Sequence, residues 1–187
     1  IVADDAGNVY VSGSNFTSGG FPTTPGAFQE TFAGGIADII VFKLTSDFSA
    51  LVYATYIGGS GDDHANNPHS IAIDGDGNAY VIGTTRSSDF PTRDPYQASK
   101  AGDWDHVVLK LNPTGTDLIY STFFGGSGTE PGGVVGEVVV DVDGNAYVVG
   151  PTKSADFPTQ NAFQPAYGGG EDGFVAKFDP VGGLIYS

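Results

Sequence analysis

One unit is written almost three times along this chain. Lys43, Lys110 and Lys177 stand 67 residues apart in both steps, and the strings around them recur with a similar offset. DDAGNVYVSG (4–13) returns as DGDGNAYVIG (74–83) and DVDGNAYVVG (141–150). Phe-Pro-Thr at 21–23 returns at 90–92 and 157–159, and Phe28-Gln29 returns as Tyr96-Gln97 and Phe163-Gln164. DIIVFKL (38–44) returns as DHVVLKL (105–111) and DGFVAKF (172–178). LVYATYIGGSG (51–61) returns as LIYSTFFGGSG (118–128), and LIYS closes the chain. No linker separates the copies, so no copy reads as a separate domain.

Each copy reads as four strands. In the second, SIAID (70–74) is short and apolar, and NAYVIGTT (78–85) alternates with β-branched and aromatic residues. DHVVLKLN (105–112) and DLIYSTFF (117–124) carry the same pattern. Asp-Gly-rich residues 74–77 signal a tight hairpin between the first two, and Asn112-Pro113-Thr114-Gly115-Thr116 a turn between the last two. No stretch sustains a helical period. The expected fold is all-β: blades of four antiparallel strands at 1–66, 67–133 and 134–187, the last strand cut short. A closed propeller typically needs about 4–8 blades. The remaining blades are therefore expected from the same polypeptide or from a second copy. The start at Ile1, without Met, fits a processed or fragmentary chain.

Composition excludes several classes. Without Cys there is no disulfide framework, thiolate metal site or Cys nucleophile. With 7 basic against 22 acidic residues, no nucleic acid or anionic membrane is expected as a partner. No run of 18 apolar residues is present to insert in a membrane as a helix.

The strings D-x-x-G-N-x-Y-V-x-G, S-x-D-F-P-T, F-Q, G-G-x-x-D-x-x-V-x-K and L-x-Y-S-T-x-x-G-G-S-G resemble the SBBP family. This is a bacterial and archaeal repeat named for a seven-bladed β-propeller. The resemblance covers essentially the whole chain. It implies large, modular proteins of the extracellular space or cell envelope, without one defined activity. The first copy departs from it, with Gly19-Gly20-Phe21 where the others have Ser88-Asp89-Phe90 and Ala155-Asp156-Phe157. A role that requires that Asp fails in the first blade.

Residues present in every copy serve what every copy must do, which is fold. Phe-Pro-Thr and Phe-Gln are thus read as anchors that bury an aromatic ring at the blade edge. Residues that differ between copies are the candidates for a specific role. They are Arg86, Arg93, Trp104, His106, His64, His69, Glu130 and Glu171. The long insertions between second and third strands, together with the connectors between blades, form the expected loop-rich binding face.

Calcium is the one cofactor the sequence suggests. Asp74, Asp76 and Asn78, and likewise Asp141, Asp143 and Asn145, open like a calcium loop but lack its Gly and closing Glu. The competing reading is a turn in which Asp and Asn side chains satisfy backbone N–H groups, and it is favoured. Asp62 and Asp63, beside Asn66 and Asn67, form a second hard-oxygen group. Asp38, Asp105 and Asp172 precede strands and are expected to cap Gly-rich turns, not to pair with the Lys five residues on.

Catalysis finds little support. His64 and His69 in HANNPH lack a zinc spacing, and GGSG lacks the helix and Lys of a phosphate loop. No nucleophile elbow is present. Asn15-Phe16-Thr17 matches a glycosylation sequon. The expected function is a non-enzymatic structural or adhesion module offering loops to a protein or glycan. The alternative is a lectin-like or glycan-active propeller using Trp104, His106, Arg86, Arg93, His64 and Asp63.

Overall fold

The computed structural model describes residues 1–16, 20–65, 69–131 and 136–187. These form three antiparallel sheets and no helix. In the first sheet β1 (Val2–Ala3), β2 (Val9–Asn15), β3 (Asp38–Leu44) and β4 (Leu51–Ile57) pair in chain order. The third repeats this order with β10 (Glu137–Val140), β11 (Ala146–Thr152), β12 (Asp172–Phe178) and β13 (Leu184–Tyr186).

The middle sheet holds β6 (Ile71–Ile73), β7 (Ala79–Thr85), β8 (Asp105–Leu111) and β9 (Leu118–Phe124). It also takes in β5 (Asp63–His64), which lies ahead of residue 67 and pairs with the far end of β7. The connector from the first blade is thus stitched into the second.

Alternation assigns each blade two faces. Ile39, Val41, Tyr53 and Ile57 of the first blade pack on Val81, Val107, Leu109 and Phe123 of the second. The opposite face of the second blade, with Ile82, Val108, Tyr120 and Phe124, packs on Val138, Val148, Phe174 and Phe178 of the third. A hydrogen bond between Ser12 and Ser70 hydroxyls, 2.8 Å long, crosses the first junction.

The three hairpin turns are built alike. Asp74 Oδ1 accepts the N–H groups of Asp76 and Asn78, at 3.1 and 2.9 Å. Asp4 and Asp141 do the same in their turns. The other oxygen of Asp74 accepts the Asn78 amide at 2.8 Å and the Tyr80 hydroxyl at 3.1 Å, and Lys110 Nζ lies 3.1 Å away. That Lys sits over the Tyr80 ring, 4.7 Å from its centroid. Lys43 with Asp4 and Tyr10, and Lys177 with Asp141 and Tyr147, repeat the cluster. The Asn8 side chain foremost holds the Asp4 carboxyl down to about 2, and Asn145 does so for Asp141.

The insertions do not simply gather on one face. Each folds back along its blade's outer strand. Arg93 and Ser121 exchange two backbone hydrogen bonds, as do Gln160 and Ser187, and the Gln29 carbonyl accepts the N–H of Tyr56. The outer edge is thereby covered, which blunts strand-to-strand association. The Phe of Phe-Pro-Thr is the ring that anchors this path: Phe90 is buried, 6.2 Å from Phe123, and Phe21 and Phe157 lie in comparable aromatic contacts. The Phe-Gln ring is not an anchor throughout. Phe28 packs against the core, but Tyr96 is 41% exposed and Phe163 stands fully in solvent. There the Gln is the constant element: Gln29 and Gln97 Oε1 accept the N–H of Gly58 and Gly125, at 3.2 and 3.1 Å.

Candidate functional site

Non-repeated side chains meet at the connector edge of the first two blades. Phe16 follows β2, His64 lies on β5, Arg86 follows β7 and Trp104 precedes β8. His64 stacks on Trp104 with centroids 5.3 Å apart, and Phe16 lies 5.6 Å from His64. The Arg86 guanidinium sits 5.5 Å from the Trp104 ring, an arrangement that favours a cation–π contact. Its charge is answered by Asp103 at 3.1 Å and Asp62 at 3.9 Å. Phe16 is 54% exposed. The result is a row of three rings and a guanidinium with an acidic rim. Partial burial pushes the His64 imidazole down, against the pull of Asp62.

The other candidates lie apart from this row. Arg93 turns to Asp117 at 2.8 Å, beside the outer strand of its blade. His69 is exposed, and its carbonyl accepts the Val138 N–H across the second junction. Glu171 pairs with Lys153 at 3.4 Å on the third blade. His106 is wholly buried between the second and third blades, its Nε2 2.9 Å from the Pro151 carbonyl and its ring against Phe174. Burial pushes its imidazole down to about 4, against the Pro151 and Gly83 carbonyls. It is a neutral core residue.

The calcium-like groups are used as turns. Both oxygens of Asp74 are engaged by the turn and by Lys110, and Asp76 and Asp143 point to solvent. Asp62 and Asp63 diverge. Asp62 accepts the Ile36 N–H at 2.7 Å near the surface, whereas Asp63 is wholly buried. Among the described residues no three His, Asp or Glu side chains stand together. Gly19, Asn66, Asn67 and the sequon's Thr17 lie outside the described residues.

Asp63 belongs to a motif that the spacing concealed. Its Oδ2 accepts the Gly59 N–H and the Ser87 hydroxyl, both at 2.8 Å, and its Oδ1 accepts the Thr85 hydroxyl. At the next junction Glu130, 67 residues on, accepts the Thr152 hydroxyl at 2.9 Å and the Ser154 hydroxyl at 2.7 Å through Oε1. Asp89 and Asp156 hold the connectors from outside, each accepting the Ser N–H of Gly-Gly-Ser-Gly at 2.8 Å. Connector, acid, Thr-x-Ser and Phe-Pro thus form one repeated clasp between consecutive blades.

Residues 52–91 match the family model of the SBBP Beta-propeller repeat. The chain carries an SBBP repeat. The matched stretch begins in β4 of one blade, crosses the connector and ends at the Phe-Pro of the next. The same strings recur through the rest of the chain. A comparison with curated proteins finds no match.

Proposed function

We propose that this SBBP chain is a non-enzymatic module of the cell surface or extracellular space that offers its connector edge to a protein or glycan. The observation that carries this reading is the row of Phe16, His64, Trp104 and Arg86. None of the four recurs in the other copies. They are not needed for the blade fold, yet they are assembled from two blades onto one partly exposed strip. Aromatic and Arg side chains rimmed by carboxylates suit hydrogen-bonding, ring-bearing ligands such as sugars, and equally suit a basic protein surface.

The outer face of the third blade supports a further blade as partner, from the same polypeptide or a second copy. Beyond the third blade a cavity of about 490 Å³ opens over Asp172, Phe174 and Tyr186. Val175 there is 53% exposed, where its counterpart Val108 is buried.

Binding to an array of glycans, and to immobilised extracellular proteins, tests the proposal. Trp104→Ala is expected to lower the affinity for any ligand found by at least tenfold, while Arg93→Ala leaves it unchanged. Equal binding by wild type and Trp104→Ala would remove the row from the interface.

A further inference from the structure

Two buried carboxyl groups converge on one glycine at each of the two blade junctions. Asp38 and Asp63 converge on Gly58: a Cβ there would stand 2.6 Å from Asp38 Oδ1 and 2.9 Å from Asp63 Oδ2. Asp105 and Glu130 converge on Gly125 in the same way, at 3.0 Å for Asp105 Oδ1 and 2.7 Å for Glu130 Oε2. All four side chains are wholly buried.

Their hydrogen bonding is lopsided in a consistent manner. In each pair one acid has donors on both oxygens. Asp63 is held by Gly59, Ser87 and Thr85, and Asp105 by Ala101, Gly102 and Gln97. The other acid has one oxygen with no partner: Asp38 Oδ1 in the first pair, Glu130 Oε2 in the second. That lone oxygen, and an oxygen of the fully bonded acid, both lie within 3.0 Å of the place a Cβ on the shared glycine would take.

A buried carboxylate oxygen without a donor, set against a second carboxylate, is costly twice over. Protonation removes both costs, because the orphan oxygen becomes an O–H donor aimed at its neighbour. We infer that each blade junction is closed by one proton shared between two carboxyl groups, carried by Asp38 in the first and by Glu130 in the second.

The surroundings agree. Among the described residues no Lys or Arg forms an ion pair with any of the four acids. The charged or titratable groups that face them are Tyr56 beside Asp38 and Lys100 near Asp105, the latter bound to the Gly102 and Asp103 carbonyls. Burial pushes Asp38 and Asp63 up to about 6, and raises Asp105 and Glu130, with the neighbouring acid adding to the rise for Asp63 and Glu130.

The sign of the pH dependence follows. An acid whose pKa is raised by folding binds more protons in the native than in the unfolded state between about 4 and 6, so stability falls as pH rises through that window. Asp4, Asp47 and Asp141, held down to about 2, act oppositely and lose their contribution as pH falls below about 4. Stability is therefore greatest near pH ~4.

Thermal melts in EDTA from pH 4 to 8 test this, together with infrared detection of protonated carboxyl groups in the folded protein. Wild type is expected to melt higher at pH 5 than at pH 7.5. In Asp38→Asn/Glu130→Gln, amide donors replace the shared protons, so that slope should flatten and the infrared signal should diminish. Exposed Asp76→Asn should keep the wild-type slope. A wild-type melting temperature that is flat or rises between pH 5 and 7.5 would overturn the inference. So would a calcium-induced rise that the double variant abolishes, because a cation would then hold the pairs. Should the double variant not fold, absence of a protonated-carboxyl signal from folded wild type at pH 5.5 would be decisive against it.

Discussion

Phe124→Ala is expected to destabilise the chain by about 3–5 kcal/mol, the range for deleting a fully buried aromatic ring. Phe124 ends β9 and is wholly buried. Phe157, Phe178 and Phe174 surround it at 4.9, 5.2 and 5.6 Å between centroids, in edge-to-face orientations, and Tyr96 lies at 6.3 Å. Three of those rings belong to the next blade, so the deletion opens a void at the junction rather than inside one sheet. Phe163→Ala, at a fully exposed ring, should change stability by no more than about 0.5 kcal/mol. Urea unfolding of both variants gives the comparison. A loss under about 1 kcal/mol for Phe124→Ala would mean that the second and third blades do not pack through this ring.

Lys110→Met should be nearly as damaging, at about 3 kcal/mol. Lys110 and Asp74 side chains are only 8% and 11% exposed, and their ion pair is 3.1 Å long. Against its burial, Asn78 and then Lys110 keep the Asp74 carboxyl below its ordinary range. Removing the ammonium leaves that carboxylate buried, with amide and hydroxyl donors but no countercharge. Lys153→Met provides the contrast. Its pair with Glu171 is about half exposed on both sides, and such pairs contribute roughly 0–1 kcal/mol. Similar losses for the two variants in urea unfolding would show that the turn clusters are surface pairs in solution.

Much of the fold was legible in the repeat. SIAID, NAYVIGTT, DHVVLKLN and DLIYSTFF cover β6, β7, β8 and β9 within a residue or two at each end. Alternation and turn chemistry are local, and the sequence displays both. The capping roles of Asp38, Asp105 and Asp172 were also visible, because odd spacing separates each from its own strand's Lys. The partner of that Lys was not. Lys110 meets Asp74 only because β7 and β8 place Tyr80 opposite Lys110, a register that no single strand reveals.

The junction clasp was hidden for a different reason. Asp63 and Glu130 differ in identity, and a search for recurring letters treats them as unrelated. Glu is longer by one methylene, yet both acids reach an equivalent Thr-x-Ser pair. Equal offset with retained charge, not identity, was the available signal. His106 misled in the opposite sense: unique among the copies, it stands at the position of Ile39 and is a core residue. Of the residues singled out for binding, His64, Arg86 and Trp104 converge, and Phe16 joins them from the preceding blade.

The packing of consecutive repeats face to face is most directly tested by a cross-link across the first junction. The chain has no Cys, so Ser12→Cys/Ser70→Cys introduces the only two thiols. The native hydroxyls of these residues lie 2.8 Å apart, although the residues stand 58 positions apart in sequence. Under mild oxidation the folded monomer of this double variant should form an intramolecular disulfide between the two introduced thiols in high yield. Mass spectrometry of its peptides identifies the bond, and the reactivity should be lost in denaturant. Two free thiols in the folded monomer, or a disulfide formed only between molecules, would contradict the stacking of the first blade on the second.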